Sequence, residues 1–409
     1  MKKLISHCAS ICLFFVLFNS PIAFATPQAP TDTIARSIVD GANSLAFKLF
    51  NKLYTKDKNV AVAPQSISTL LTMVYNGANS NTKVQMGELL GIAKLNLNDV
   101  NQAYLDLTKK WQNLGSKIKI ETANSIWVGK KIQLNSDFIA RNKDFFSAEV
   151  NNVDFAKPKA VEEINSWVKK HTKGKIAKIV DKLDDSCLLA MVDAFYFKGK
   201  WEKSFEIKDT KEKPFYLATG QQEKVQMMSR FGHYMYLENN LFQAVMLPYG
   251  DNKQIVMYVF LPKGKVTLEQ FMAKLTVTNW QKWLSEFNYR EGTVELPRFK
   301  AEYSTSLVDV LKTLGMNDAF LPSKADFSGI SISALLDKMY IDQIIHKTFI
   351  EVNEEGTEAA AVTAAVIFGA AIDMNTPPRF QFIADHPFFY AIVDRKSGAI
   401  LFMGAMIKN

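Results

Sequence analysis

Hydrophobic residues in the first half of the chain recur with the spacing of amphipathic helices. Apolar positions three to four residues apart predict helices over residues 34–53, 64–75, 83–90, 97–114, 136–146 and 160–171. Pro64 suits the first turn of a helix, and Asn76-Gly77 provides a stop signal at the end of that helix. A β-rich run over 118–128 is the one strand predicted among these helices.

The second half of the chain is richer in strand patterns. An almost continuous apolar run over 188–197 is typical of a central strand that is buried on both faces. Alternation and turn signals predict further strands over 242–248, 254–261, 293–299, 341–352, 388–393 and 400–403, and a helix over 304–314. Since no repeat or linker interrupts the chain, we expect one α+β domain with large antiparallel or mixed sheets.

The stretch 354–378 fits no single class of element. An acidic start leads into a run of small and apolar residues over 359–372, and Pro377-Pro378 ends the stretch. Alanine favours a helix, whereas an apolar run without charge or proline is typical of an aggregation-prone strand. Every second residue from Thr357 is small, so a strand here would have one face of small side chains: Thr357, Ala359, Ala361, Thr363 and Ala365.

Small side chains on one face would let such a strand enter a packed sheet. Larger residues there would overpack the core, at a cost of about 1–3 kcal/mol. Gly356, just before this run, provides a flexible hinge. We therefore predict that 354–378 is a loop able to become a central strand.

The N-terminus has the pattern of a signal peptide. Lys2 and Lys3 precede an apolar run over 11–18, and Ala23-Phe24-Ala25 forms a cleavage site. We expect a signal peptide over 1–25 and a single mature domain over 26–409, exported to the periplasm or the extracellular space without a membrane anchor. Cys187 is then the only cysteine, so an internal disulfide is excluded. An exported chain without disulfides or N-glycosylation acceptor sites favours a bacterial source.

Charge and composition suggest a folded protein with a solvated basic surface. The formal net charge is +8, of which Lys2 and Lys3 contribute two, and 22% of residues are charged. Basic and acidic residues alternate without an arginine-rich run, so we expect no nucleic-acid partner. Four scattered lysines without a neighbouring arginine, Lys109, Lys110, Lys117 and Lys119, are interpreted as part of this solvated face and only weakly suggest a polyanion site.

Motifs of catalysis are absent from the sequence. The chain has no G-x-S-x-G elbow, H-E-x-x-H pair, P-loop or G-x-G-x-x-G. The histidines beyond the leader are scattered, and none has a second histidine at metal-ligand spacing. We therefore predict no catalytic residues, no metal and no cofactor.

Several motifs, in order along the chain, resemble signatures of the serpin family. They are NVAVAPQSI (59–67), NGANSNTKVQM (76–86), INSWVKKHTKGKI (164–176), VDAFYFKGKWEKSF (192–205), LPYG (247–250), HKTFIEVNEEGTEAA (346–360), ADHPFFYAI (384–392) and LFMGAMI (401–407). The resemblance implies a serpin fold with three β-sheets, about nine helices and an exposed reactive-centre loop at about 354–378.

The resemblance also implies a function, which is suicide inhibition of a serine or cysteine protease and not enzymatic catalysis. The protease cleaves the loop and becomes acylated, and the loop then inserts into the main sheet and distorts the protease. The hinge resembles the inhibitory consensus through Glu354, Glu355, Gly356, Thr357, Glu358, Ala359, Ala360 and Ala361. The alternative is a non-inhibitory serpin that acts as a binding protein or chaperone. A metastable monomer with a risk of loop–sheet polymerisation is expected in the inhibitory case.

In serpins the scissile bond lies at a characteristic number of residues from the hinge glycine. Counted from Gly356, that spacing implies cleavage at Ala370-Ala371. A small residue there suits an elastase-like protease, whereas cleavage after Phe368 would suit a chymotrypsin-like one, and Met374 is a third alternative. The absence of arginine and lysine in this window argues against trypsin-like targets.

The resemblance assigns two further regions of the main sheet. The shutter, where the sheet opens, corresponds to Ala63, Ser66, Asp193 and His346, although the family usually has a serine at the first position and an asparagine at the third. We hypothesise a buried ion pair between Asp193 and His346. Trp201 corresponds to the breach, the end of the sheet that admits the loop.

Overall fold

Nine α-helices are present in the computed structural model, which describes residues 30–334, 336, 338–357 and 378–408. They are α1 (Pro30–Leu53), α2 (Pro64–Tyr75), α3 (Ser80–Leu90), α4 (Leu97–Gln112), α5 (Ser136–Phe146), α6 (Lys159–His171), α7 (Leu268–Met272), α8 (Val277–Ser285) and α9 (Val308–Thr313). Their ends follow local chemistry: Pro64 begins α2, and the Asn96 side chain accepts hydrogen bonds from the first N–H groups of α4. Within the described ranges, no helix is both long and apolar enough to cross a membrane.

Fifteen strands accompany these helices in the described residues. They are β1 (Val60–Val62), β2 (Ile118–Gly129), β3 (Glu149–Val153), β4 (Leu189–Lys200), β5 (Lys211–Tyr216), β6 (Gln222–Glu238), β7 (Phe242–Pro248), β8 (Ile255–Pro262), β9 (Asn288–Pro297), β10 (Phe299–Ser306), β11 (Gln343–Val352), β12 (Gly356–Thr357), β13 (Phe380–Ile383), β14 (Phe388–Asp394) and β15 (Ala399–Met406). The mixed helix and strand content confirms the predicted α+β class.

A six-stranded sheet has the order β10-β11-β4-β2-β3, and the short β12 also pairs with β4. The strand β4 lies at the centre, as its apolar sequence predicts. It pairs antiparallel with β2 and parallel with β11. These two neighbours differ in direction, and that difference matters for the site described below.

The remaining strands form a nine-stranded sheet in the order β1-β15-β14-β8-β7-β6-β9-β13, with β5 on β6. The long strand β6 changes partners along its length: it pairs with β5, then with β9, and finally with β7. The three expected sheets therefore correspond to the six-stranded sheet and to two parts of the nine-stranded sheet. One part contains β5, β9 and β13, the other contains β1, β15, β14, β8 and β7, and β6 belongs to both.

Two hydrophobic clusters lie on opposite faces of the six-stranded sheet. Phe195 and Phe197 of β4 belong to the larger cluster, which the sheet shares with the nine-stranded sheet and most helices. Val192 and Ala194 belong to a smaller cluster that includes α6 residues. Because successive side chains of a strand point to opposite faces, β4 is buried on both sides.

Two predicted boundaries were wrong, and several elements were not predicted. The helix predicted over 304–314 begins only at Val308, because Ser304 to Ser306 pair with β11 at the end of β10. The strand predicted over 293–299 is β9, which starts at Asn288 and ends at Pro297. The sequence patterns did not reveal β1, β3, β5, β6, β10, β13, α7 or α8.

Candidate functional site

The hinge begins as a strand on the six-stranded sheet. The parallel pairing of β11 with β4 ends at Phe349 and Tyr196. Beyond that point the chain turns back, and β12 pairs antiparallel with β4 through Gly356 opposite Lys200 and Thr357 opposite Gly199. The described part of the hinge, 354–357, is therefore seated beside β4 at the end of the sheet.

Position 356 requires a glycine for two reasons, which are its backbone conformation and the close approach of the β4 backbone. Its φ of 140° lies in a region that side-chain-bearing residues rarely adopt. A Cβ at this position would lie 2.1 Å from the carbonyl oxygen of Gly199. No larger residue can therefore occupy this position unless the hinge moves away from β4.

Thr357 is fully buried in an aromatic pocket. Its hydroxyl lies 3.0 Å from the hydroxyl of Tyr249. The Tyr249 ring stacks on Trp201 with centroids 4.3 Å apart and meets Phe197 edge-on at 5.1 Å. A small, uncharged side chain fits this pocket, whereas a buried charge without a partner would be strongly destabilising.

Trp201 follows the last residue of β4 and holds the turn before β12 by two hydrogen bonds. Its backbone N–H donates to the carbonyl of Glu355 at 2.8 Å, and its indole Nε1–H donates to the carbonyl of Asn353 at 2.9 Å. The structure thus brings the predicted breach residue into direct contact with the hinge. Its role in admitting the loop stays a prediction.

Glu354 anchors the same turn through its side chain, which is buried. Its Oε1 accepts hydrogen bonds from Arg298 Nε at 2.6 Å and from the Thr210 hydroxyl at 2.5 Å. Burial by itself would raise the pKa of Glu354, but these hydrogen bonds outweigh it and leave the pKa below its ordinary value. A charged carboxylate therefore ties the hinge to two distant segments of the chain.

A polar cluster occupies the middle of the sheet, where β11 meets β4. His346 and Asp193 are direct neighbours across the two strands and are fully buried, with Nδ1 and Oδ2 2.7 Å apart. The Ser66 hydroxyl of α2 donates to the other Asp193 oxygen. The backbone N–H of Ala63 donates to His346 Nε2 at 3.2 Å. The four predicted shutter residues are thus brought together.

The hydrogen bonds of His346 indicate its protonation state. Because Nε2 accepts from the N–H of Ala63, Nε2 carries no proton, and the single ring proton lies on Nδ1 facing Asp193. This arrangement favours a neutral imidazole that donates to the carboxylate. The expected contact between His346 and Asp193 is present, and the ion pair stays a hypothesis.

Sequence reasoning missed several members of the site. Asn124, directly opposite Asp193 on β2, lies 3.3 Å from the Ser66 hydroxyl. Arg298, Thr210 and Tyr249 complete the hinge contacts. Tyr249 lies within the quoted LPYG motif, but no local pattern connects the other residues to positions that are distant in sequence.

Other predicted site residues lie outside the described residues. These are Glu358, Ala359, Ala360 and Ala361 of the hinge, and Phe368, Ala370, Ala371 and Met374 at the scissile-bond candidates. In the described ranges no group of three or more histidine, cysteine or acidic residues is placed to bind a metal ion. Of the four lysines considered for a polyanion, Lys117 pairs with Asp251 at 2.5 Å.

Known proteins resemble this chain over most of its length. The family described as "Serpin (serine protease inhibitor)" matches residues 40–409. Serpin B6 of Pongo abelii is 37% identical over 85% of this chain and 92% of its own length. The leukocyte elastase inhibitor of Equus caballus is 35% identical over 88% of this chain and 96% of its own length.

The fold of this chain also resembles that of a solved serpin structure. The native state of the thermophilic serpin tengpin superposes with a TM-score of 0.83 at 30% identity, covering 91% of this chain and 94% of tengpin. Members of this family are in general protease inhibitors. This chain belongs to the serpin family.

Proposed function

We propose that the chain is an inhibitory serpin, a metastable trap for serine proteases that is consumed in one turnover and is not an enzyme. The observation that carries this proposal is β12: the hinge already forms an antiparallel strand on β4 and buries its small Thr357 side chain. Cleavage of the loop would let this strand continue along β4 with the acylated protease attached to its end.

The six-stranded sheet has a suitable place for that strand. Seven residues of β11, 343–349, pair in parallel with residues 190–196 of β4, and we call this pairing the parallel seam. Parallel pairing is slightly less stable per residue than antiparallel pairing. A strand that entered the seam in the direction of β12 would replace one parallel interface with two antiparallel ones, which favours insertion.

The register of β12 also fits the side chains of the loop. Continued residue by residue from Thr357 opposite Gly199, it would set Ala359 opposite Phe197 and Ala361 opposite Phe195. Phe195 and Phe197 face the larger core cluster, and directly opposed residues share a face. The small residues of the alternating pattern would therefore be the ones that face the core, where larger side chains would overpack it.

Insertion would have to break the polar cluster. His346 and Asp193 lie directly across the seam, so a strand between them separates the ring from the carboxylate. The continued register would bring Thr363 opposite Asp193. Its hydroxyl can donate to the carboxylate and so compensate for the lost imidazole N–H. The cluster would thus hold the sheet closed before cleavage without penalising the inserted state.

The decisive test of the proposal is incubation with pancreatic elastase, chymotrypsin and a cysteine protease, followed by denaturing gels. We expect a detergent-stable complex of inhibitor and protease, because the acyl bond is trapped. Proteases that cut the loop quantitatively without any such complex would refute inhibition and favour the alternative of a binding or chaperone serpin.

The target class is proposed from the loop sequence. Cleavage at Ala370-Ala371 suits an elastase-like protease, and similarity to a leukocyte elastase inhibitor supports this choice. Phe368 and Met374 stay alternative sites, the first with a chymotrypsin-like target. Mass spectrometry of the released C-terminal fragment decides among them, since a fragment that starts at any residue but Ala371 excludes the first choice.

Export of the chain is a further part of the proposal. The signal-peptide pattern of residues 1–25 supports a mature protein that starts at Thr26 in the periplasm or outside the cell. N-terminal sequencing of protein recovered from the medium or periplasm tests this. The expected form is a monomer, although a seam that accepts its own loop can also accept the loop of a second copy.

A further inference from the structure

We propose that an exposed aromatic face next to the reactive loop is a docking site for the body of the target protease. The aromatic face consists of Phe231, His233, Tyr289 and Arg379. This inference rests on the proposed inhibitory function, and it concerns how the protease is recognised and not how it is trapped.

The four residues form one continuous surface on β6, β9 and the start of β13. On these strands His233 lies opposite Glu291, and Phe231 lies opposite Thr293, so their side chains share a face. The His233 ring stacks on Tyr289 with centroids 5.4 Å apart. The Arg379 guanidinium lies 5.1 Å from the centre of the Phe231 ring.

This surface is exposed although its side chains are the kind that proteins normally bury or use in contacts. Phe231 is 54% exposed and Tyr289 is 69% exposed. Aromatic residues and arginine dominate the binding energy of protein–protein interfaces, where truncating one such side chain often weakens binding by tenfold or more. Cross-strand stacking and the salt bridge from Arg379 to Glu291 at 2.7 Å hold the side chains in place before a partner arrives.

The position of the face identifies its occupant. Arg379 follows Pro378, the residue at which the described chain resumes after the loop, and the Arg290 guanidinium holds the Pro378 carbonyl at 2.7 Å. The face is therefore continuous with the segment that a protease has to engage. Protease–inhibitor interfaces typically bury about 800 Å² per partner, so a protease that engages the loop has enough contact area to reach this adjacent face.

The test measures docking separately from trapping, with pancreatic elastase and chymotrypsin as probes. The variant is Phe231→Ala with Tyr289→Ala. The matched control is Ile332→Ala with Leu336→Ala, two exposed aliphatic residues in the segment before β11, at the end of that strand away from the hinge. For each protein, the second-order rate constant of inhibition, the stoichiometry and the thermal midpoint are measured.

We expect the rate constant of the Phe231/Tyr289 variant to fall by about tenfold or more with the protease that wild type traps fastest. Its stoichiometry and thermal midpoint should not change, because the residues are exposed and distant from the seam. The dissociation constant for the same protease with its catalytic serine replaced by alanine should rise by the same factor. The Ile332/Leu336 control should match wild type in every measurement.

Three outcomes would overturn the inference. If wild type and the Phe231/Tyr289 variant trap the protease at the same rate, the aromatic face is not a docking site, and the proposed function stands. If wild type forms no complex with any protease, the proposed function fails and this inference with it. If gel filtration finds a wild-type dimer that the variant abolishes, the face serves a second copy of the chain.

Discussion

The two neighbours of β4 pair with it in different ways, and this difference separates the edge that we propose to open, the one with β11, from the permanent edge, the one with β2. On one side β2 pairs antiparallel with β4 over eleven residues, from Ile118 to Val128. On the other side β11 pairs in parallel over only seven, and the hinge takes over the same edge of β4 beyond them. The antiparallel edge is longer and more stable per residue.

Side chains reinforce this difference between the two edges. Along the parallel seam, a buried carboxylate–imidazole contact joins the strands at Asp193 and His346. At the hinge end, Glu354 and Thr357 seat β12 on the same edge. The edge that we propose to open is thus held by a few specific polar contacts, which a strand with hydroxyl side chains at the matching positions could replace. The permanent edge depends on its longer backbone ladder.

A charge at the hinge should have the largest effect on function. Thr357→Arg would place a guanidinium in the pocket of Tyr249 and Trp201, where a charge without a partner is costly to bury. We expect the variant to be cleaved as a substrate, with complex formation lost on denaturing gels. Thr357→Ser is the matched control and should inhibit like wild type. Equal inhibition by the arginine variant would contradict entry of the loop at this edge.

Removal of the His346 imidazole should have the next largest effect, which is a weaker parallel seam in the uncleaved protein. His346→Ala leaves the Asp193 carboxylate buried with a donor missing, which costs about 3 kcal/mol because an unsatisfied charged group is at the upper end of such losses. We expect lower unfolding free energy in urea, and polymers on native gels. Thr122→Ala on the antiparallel edge, at an exposed position of β2, is the comparison variant and should leave the unfolding free energy nearly unchanged. A monomeric His346→Ala protein of wild-type stability would show that the contact does not hold the seam.

Removal of the hinge carboxylate should have an intermediate effect that depends on pH. Glu354→Gln loses charged hydrogen bonds from Arg298 and Thr210, worth about 1.5–3 kcal/mol at pH 7. Because the folded-state pKa of Glu354 lies below its ordinary value, its stabilisation is present above pH 4.5 and is lost as the pH falls through the lowered pKa.

Urea unfolding of wild type and Glu354→Gln at pH 7 and at strongly acidic pH checks this prediction. The difference in unfolding free energy should shrink on acidification. Glu351→Gln, which removes a carboxylate of β11 that pairs with Lys300, is the control and should cost far less, since its partner Lys300 is largely exposed. A difference that is independent of pH would assign the effect to packing and not to charge.

The smallest expected effect tests the protonation state of the polar cluster. Asp193→Asn keeps an acceptor for His346 Nδ1–H and offers a donor to the Ser66 hydroxyl. With a neutral ring, the exchange should cost less than about 1 kcal/mol in urea unfolding. A loss of several kcal/mol would mean that the imidazole is charged and that the pair is an ion pair after all.

The sequence predicted most of the helices and the central strand, because their periodicity is local. It failed at β6, whose buried side changes along the strand: Val225 and Met227 are buried in its first half, and Tyr234 and Tyr236 in its second. The odd-numbered side chains are buried first and the even-numbered ones later, so no single period of two describes the strand.

The site was predictable only in part for a related reason. Its hinge and its shutter residues lie within motifs that the family shares, so resemblance identified them. The partners Arg298 and Thr210 reach Glu354 across 56 and 144 residues, and nothing in their own neighbourhoods marks them. The orientation of the His346 ring depends on a hydrogen bond from the backbone N–H of Ala63, which no side-chain pattern encodes.

Thermal unfolding before and after cleavage of the loop tests the central claim most directly. A protease that cuts within 358–377 without being trapped is used to nick the protein, and the melting temperatures of the two forms are compared. Insertion converts the parallel seam into two antiparallel interfaces, so a large rise in melting temperature is predicted. An unchanged melting temperature would contradict the account, because the cleaved loop would then have failed to enter the sheet.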